Sequence, residues 1–118
     1  MAITTEFAVP MKLNTIYATT EPSRAEVEAL TGPALVEFGA PWCPHCQAAQ
    51  PKIAAALANA PDLPHLKVED GKGRPLGRSF QVKLWPTLIF LRDGTEVARL
   101  VRPPTSQEIS TALARITS

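Results

Sequence analysis

The sequence predicts an α/β fold in which a mixed central sheet of four to five strands carries helices on both faces. Three observations point there. Ala34-Leu35-Val36-Glu37-Phe38 is a nearly continuous apolar run closed by Gly39, the pattern of a strand buried on both faces. From Cys43 to Ala60 the composition turns to Ala, Gln, Lys and Leu, with Ile53, Leu57 and Ala60 at helical spacing and Pro61 as terminator. Thr87-Leu88-Ile89-Phe90-Leu91, then Arg92-Asp93-Gly94-Thr95, then Glu96-Val97-Ala98-Arg99-Leu100-Val101 read as strand, turn and strand, a β-hairpin.

The other elements fit between these. Residues 1–13 show no sustained periodicity and are expected to form a loosely ordered lead-in to one domain over residues 14–118. Residues 14–19, with Ile16 and Tyr17, are read as a short first strand. Glu21-Pro22-Ser23 followed by Ala25, Val27, Ala29 and Leu30 predicts a short helix, with Ser23 or Thr20 as N-cap and Gly32-Pro33 as its stop. Residues 63–69 suggest a further strand and residues 75–80 a short helix with proline in its first turn. Thr105-Ser106-Gln107-Glu108 offers a capping box for a last helix through Ile109, Leu113 and Ile116. The order β-α-β-α-β-α-β-β-α describes a mixed sheet with helices on both sides.

Composition narrows the function. At 118 residues, 45% hydrophobic and 19% charged, the chain is sized for one domain with a real core. Twelve Lys and Arg against eleven Asp and Glu leave a formal charge of +1, so no broad basic field is available for nucleic acid or an anionic membrane. The longest apolar stretches, such as residues 84–91, fall well short of the roughly 20 residues a membrane helix needs. Met1 through Met11 lacks the basic segment, apolar run and small-residue cleavage site of a secretory signal, which favours a cytoplasmic location.

Both cysteines lie in Trp42-Cys43-Pro44-His45-Cys46, at a strand-to-helix junction. In a helix-opening turn this spacing lets two sulfurs meet in a small disulfide ring and sets Cys43 near the unpaired N–H groups of the helix start, which favour the attacking thiolate. Alternatives stand beside this. A structural zinc site needs about four ligands, and only His45 and His65 remain as nitrogen donors. A structural disulfide or a pair of inert core thiols would carry no chemistry.

In these residues the chain resembles the thioredoxin family, from about Asn14 onward. Leu35 through Cys46 looks like that family's active-site strand and loop, Pro51 matches the proline inside its active-site helix, and Trp85-Pro86-Thr87 looks like its cis-proline loop. The resemblance implies the thioredoxin-like fold. It also implies a buried acid at Glu37, six residues before Cys43, and a lysine partner at Lys67, nineteen before Pro86. Desolvation would push such an acid toward its protonated form, ready to trade protons with Cys46. It further implies a substrate groove around Trp42, Trp85, Pro86 and Thr87, in which the backbone before Pro86 pairs with an extended substrate strand.

The chain also departs from the family pattern. Pro44-His45 replaces the Gly-Pro of the reductants and resembles the strongly oxidising periplasmic branch, where a protonated histidine beside the helix start stabilises the thiolate and hence the reduced protein. That branch carries a large helical insertion for which this chain has no room between Cys46 and Pro86. Gly39 stands where many thioredoxins place a bulky aromatic, Trp85 where they place a small or branched residue, and Arg102-Pro103-Pro104 replaces a glycine-containing turn.

The expected function is thus thiol:disulfide exchange with protein substrates. Cys43 attacks, Cys46 resolves, Pro44 and His45 tune the pair, and Glu37 and Lys67 handle the proton. No metal or organic cofactor is required beyond the redox-active Cys43-Cys46 disulfide. The resemblance suggests a flavoprotein thioredoxin reductase as electron donor and a monomer as the working form. The rival expectation is a peptide-binding or chaperone-like module with secondary redox activity.

Overall fold

The computed structural model of the chain describes residues 16–18 and 20–117. Among them the helices are α1 (Arg24–Glu28), α2 (Pro44–Leu57), α3 (Pro75–Ser79) and α4 (Ser106–Thr117). The strands are β1 (Pro33–Gly39), β2 (His65–Glu69), β3 (Thr87–Arg92) and β4 (Thr95–Val101), hydrogen-bonded in the order β2-β1-β3-β4. β1 runs parallel to β2 and antiparallel to β3, and β4 is antiparallel to β3, so the mixed sheet with helices on both faces is present. No helix among the described residues is long and apolar enough to cross a membrane.

The side-chain period of two in a strand sorts the apolar residues into two cores. Leu35 of β1 and Leu88 and Phe90 of β3 face α2 and α4, where Ile53, Leu57, Ile109, Leu113 and Ile116 cover them. Val36, Phe38, Ile89 and Leu91 face the opposite way, under Val27 of α1 and Leu76 and Phe80 at α3. Both faces of the two central strands are therefore apolar, which is why their sequences read as continuous runs. Glu37 shares the face of Leu35 and so points toward α2, inside the protein.

Local chemistry sets the element ends. Ser23 caps α1: its Oγ accepts the Glu26 N–H at 3.0 Å while Glu26 Oε1 accepts the Ser23 N–H at 2.8 Å, a full capping box. α1 stops at Glu28, before the expected Gly32. α2 stops at Leu57 rather than Ala60: Ala58 still bonds the Ala54 carbonyl, but the Asn59 and Ala60 N–H groups bond only three residues back, to Ala56 and Leu57, in a tightened last turn. At α4, Thr105 Oγ1 accepts the Glu108 N–H at 3.2 Å.

Asp93 (φ 51°) and Gly94 (φ 77°) form the two-residue turn between β3 and β4, both in the left-handed region that such hairpins require. The turn docks on the end of α1: a Cβ on Gly94 would lie 2.0 Å from the Glu28 carbonyl oxygen. The expected first strand is not found among residues 16–18, where the Ala18 N–H makes one bond, to the Lys67 carbonyl at 2.8 Å. The rest of that segment, and the lead-in over residues 1–13, lie outside the described residues.

Candidate active site

β1 delivers the chain at Gly39, and Ala40-Pro41-Trp42 carries it to the start of α2. Cys43 is the N-cap, with extended backbone (φ −80°, ψ 119°), and its sulfur accepts the Cys46 N–H at 3.2 Å. Cysteine here does what serine or aspartate usually does at a helix start. Pro44 takes the first helical position, where a missing N–H costs nothing. His45 stands exposed in the same turn, with no hydrogen bond or ion pair among the described residues. Both sulfurs are present as free thiols, Cys43 only 4% and Cys46 only 1% exposed.

The two thiols differ in surroundings. Burial pushes the Cys46 thiol up to about 12, helped by its interaction with Cys43 and by the nearby negative charge of Glu37. The Tyr17 hydroxyl hydrogen-bonds the Cys46 side chain, and burial, then Glu37, holds that phenol well above its ordinary value, so it stays protonated. Gly39 makes room for both groups: a Cβ there would lie 2.6 Å from Cys46 Sγ and 3.1 Å from the Tyr17 hydroxyl. Any side chain at this position would crowd the Cys46 sulfur.

Behind Cys46 lies a buried polar cluster. Glu37 Oε1 meets His65 Nε2 at 2.9 Å, and Oε2 accepts the Gln50 Nε2 donor at 2.9 Å and faces Lys67 Nζ at 3.5 Å. Gln50 Nε2 also donates to the Cys46 carbonyl at 2.8 Å, and Lys67 donates to Gln50 Oε1. Lys67 Nζ further sits 4.8 Å from the centre of the Tyr17 ring, within cation–π range. Lys67 is thus a buried partner, 4% exposed.

The charge state of Glu37 differs from the expectation. Burial does push its carboxyl up, but the His65 hydrogen bond, the Lys67 cation and the Gln50 amide outweigh it and hold the carboxyl below its ordinary value. That balance favours the carboxylate of Glu37 over its protonated form. Sequence reading overlooked Gln50, His65 and Tyr17 as site residues. Gln50 lies one helical turn beyond Cys46, and His65 alternates with Lys67 on one strand face, so spacing did hold a signal for these two.

The groove side is built on Trp85. Its peptide bond to Pro86 is cis, its ring meets exposed Trp42 edge-on at 5.5 Å between centroids, and it packs against the cluster of Ala40, Cys43 and Cys46. Its Nε1–H donates to Asp70 Oδ2 at 2.8 Å. The Trp85 carbonyl, expected to be free for a substrate strand, accepts the Arg102 Nε–H at 2.8 Å, while the Arg102 backbone N–H bonds the Pro86 carbonyl. Pro86 itself is buried. Thr87 is 1% exposed, and its hydroxyl donates to the Leu84 carbonyl at 2.6 Å, so it closes the loop internally and does not face a substrate as expected.

A parallel-plus-antiparallel sheet whose central strand feeds a dithiol at a helix start, facing a cis-proline loop, defines a thioredoxin-fold dithiol protein. The thioredoxin family profile matches residues 14–115, and the chain belongs to that family. The solved structure of reduced thioredoxin 2 from Pseudomonas aeruginosa PAO1 is 58% identical, covering 85% of this chain and 93% of that one, with a TM-score of 0.76. The Trxlp structure from Edwardsiella tarda EIB202 is 28% identical over 79% of this chain and 95% of that one, with a TM-score of 0.66. Protein disulfide-isomerase A2 from Pongo abelii is 50% identical over 64 residues, 51% of this chain but 12% of that protein's length. Thioredoxin-2 from Pyricularia oryzae is 32% identical over 80 residues, which are 66% of this chain and 47% of that protein. The chain thus spans less than half the length of these two curated relatives.

Proposed function

We propose that the chain is a protein thiol:disulfide oxidoreductase working through Cys43 and Cys46. The observation that carries this reading is the asymmetry of the pair. The Cys43 sulfur stands at the helix start and accepts the Cys46 N–H, while burial holds Cys46 in its protonated form. The Cys43 thiolate attacks a substrate disulfide, the substrate S–S bond breaks, and the departing substrate sulfur leaves as a thiolate that takes a proton from water. Cys46 then gives up its proton, with the Glu37 carboxylate as the base on its side of the site, and attacks the Cys43 sulfur. A Cys43–Cys46 disulfide forms, and the substrate leaves with both electrons as a dithiol.

Trp42, Trp85 and Pro86 wall the substrate groove in this reading, and Pro44 and His45 tune the pair. We assign the chain protein substrates, a thioredoxin reductase as electron donor, a place in cellular electron transport, a cytoplasmic location and a monomeric working form. It needs no cofactor beyond its own disulfide.

Trapping tests the order of attack. Cys46→Ser should accumulate mixed disulfides on Cys43, and Cys43→Ser should trap almost none; equal trapping would refute the assigned order. Equilibration in graded glutathione buffers gives the direction, since a potential near about −270 mV marks a reductant and one near about −120 mV an oxidant. A value between them is expected. The 67% exposure of Trp42 and 49% exposure of Leu84 favour peptide binding as a second reading, and full biological activity of Cys43→Ser/Cys46→Ser would establish it over the first.

A further inference from the structure

A cleft of about 250 Å³ opens on the far wall of the site, lined by Asp70, Arg74, Arg78, Val82, Lys83 and Trp85 among others. Three cations and one carboxylate share it in a chain whose net charge is only +1. The carboxylate is already engaged. Asp70 Oδ2 takes the Trp85 indole N–H, and Oδ1 lies so close to Gly77 that a Cβ there would stand 2.3 Å away. By contrast, none of Arg74, Arg78 and Lys83 pairs with a carboxylate among the described residues, whereas Arg24 and Arg99 each do, with Glu28 and Glu96.

Trp85 is the wall shared by this cleft and the dithiol, since it packs against Cys43 and Cys46 and also lines the cleft. An extended peptide advances about 3.3 Å per residue, so a substrate with its disulfide over Cys43 crosses an indole within about two or three residues. A side chain at that remove would meet two guanidinium groups, whose planar forks match carboxylate geometry, and an ammonium.

We propose that this cleft is a specificity subsite that takes a carboxylate side chain of the substrate peptide, two or three residues from its reactive disulfide. The inference rests on the oxidoreductase reading and adds a substrate class to it: proteins with aspartate or glutamate flanking the disulfide.

The test uses the full chain and disulfide peptides of one length that carry Glu, Gln or Lys pairs at that spacing, with glutathione disulfide as a further arm. The ratio of kcat/KM, Glu peptide over Gln peptide, is expected near about tenfold at low salt and is expected to collapse toward one with added sodium chloride. In Arg74→Gln/Arg78→Gln/Lys83→Gln the ratio should fall within about twofold of unity even at low salt. A natural chain that turns over Glu and Gln peptides alike would overturn the subsite while leaving the redox reading intact, and so would a variant that keeps the acidic preference. Loss confined to glutathione disulfide would assign the cations to a small thiol and likewise overturn the proposal. Absence of turnover on every peptide would remove the redox reading, and this inference with it. The salt dependence needs no variant, so a triple variant that fails to fold leaves the proposal open to refutation.

Discussion

His65 Nε2 and Glu37 Oε1 stand 2.9 Å apart with neither side chain open to water. β1 and β2 place Glu37 opposite Lys67, and His65 falls two residues earlier on the same face, so one carboxylate is met by an imidazole and an ammonium from one strand. This arrangement explains why a buried acid is held ionised. Among the influences that lower its pKa, the His65 hydrogen bond comes first.

Replacing His65 with Leu should therefore raise the Glu37 pKa, because burial would then act against weaker opposition. Carbon-13 NMR of the labelled Glu37 carboxyl reads this directly. In the natural chain the carboxyl should titrate below about 4.3, the ordinary glutamate value, and in His65→Leu it should move upward. An unmoved titration would show that Lys67 and Gln50 suffice.

Glu37→Leu should cost about 3–5 kcal/mol in urea unfolding, since it leaves the Lys67 ammonium buried without its carboxylate. Glu37→Leu/Lys67→Met should recover more than half of that loss, because a buried ion pair replaced by apolar groups of similar volume is close to neutral. The pair also has a pH signature. A carboxyl lowered in the folded state stabilises the fold above about pH 4.3, and that contribution drains away as pH falls through the folded value. The double variant should lack this part of the acid limb.

In the reduced protein the second thiolate equivalent, followed by ultraviolet absorbance, should appear only as pH approaches about 12. The sign for stability is the opposite of the Glu37 case. The folded state holds the Cys46 proton more tightly than the unfolded chain, whose thiols lose theirs near about 8.5. Reduced protein should consequently lose stability as pH climbs from there toward about 12, and Cys46→Ser should lose less.

Arg102 occupies the Trp85 carbonyl, which in the proposed reading would pair with an extended substrate strand. Arg102→Ala should lower KM for neutral disulfide peptides about fivefold, the worth of about one freed hydrogen bond, with the potential unchanged. A raised KM would mean that the guanidinium aids substrate and does not compete with it.

Gly94→Ala should destabilise by at least about 1–2 kcal/mol, the cost of a side chain in the left-handed region, with a further penalty from the Glu28 carbonyl 2.0 Å away. Chemical denaturation checks it.

Much of this was legible in the sequence, for reasons that particular residues make plain. The runs at Leu35 and Leu88, the Asp93-Gly94 turn and the cysteine spacing each encode a local rule, and the structure obeys them. Ser23 against Thr20 was open because both can cap, and only the reciprocal Glu26 bond decides between them. The charge of Glu37 was misread because it depends on Gln50 and His65, which arrive from two other elements and change the balance between burial and hydrogen bonding. Thr87 belongs to the expected groove only through its place beside Trp85 and Pro86, yet its hydroxyl is consumed three residues back by Leu84, a loop closure that leaves no pattern in the chain.

β1 is hydrogen-bonded on both edges, to β2 and β3, and it alone joins Glu37 to the cysteine turn. Its amides can exchange with solvent only when the sheet itself comes apart, so Glu37 and Phe38 should be among the slowest-exchanging positions of the chain. Trp42, Arg74, Lys83 and Arg102, the residues proposed to contact substrate, sit on turns, a short helix edge and loops outside that strand. Substitutions on that rim should thus leave the buried Glu37 cluster and its slow amide exchange untouched.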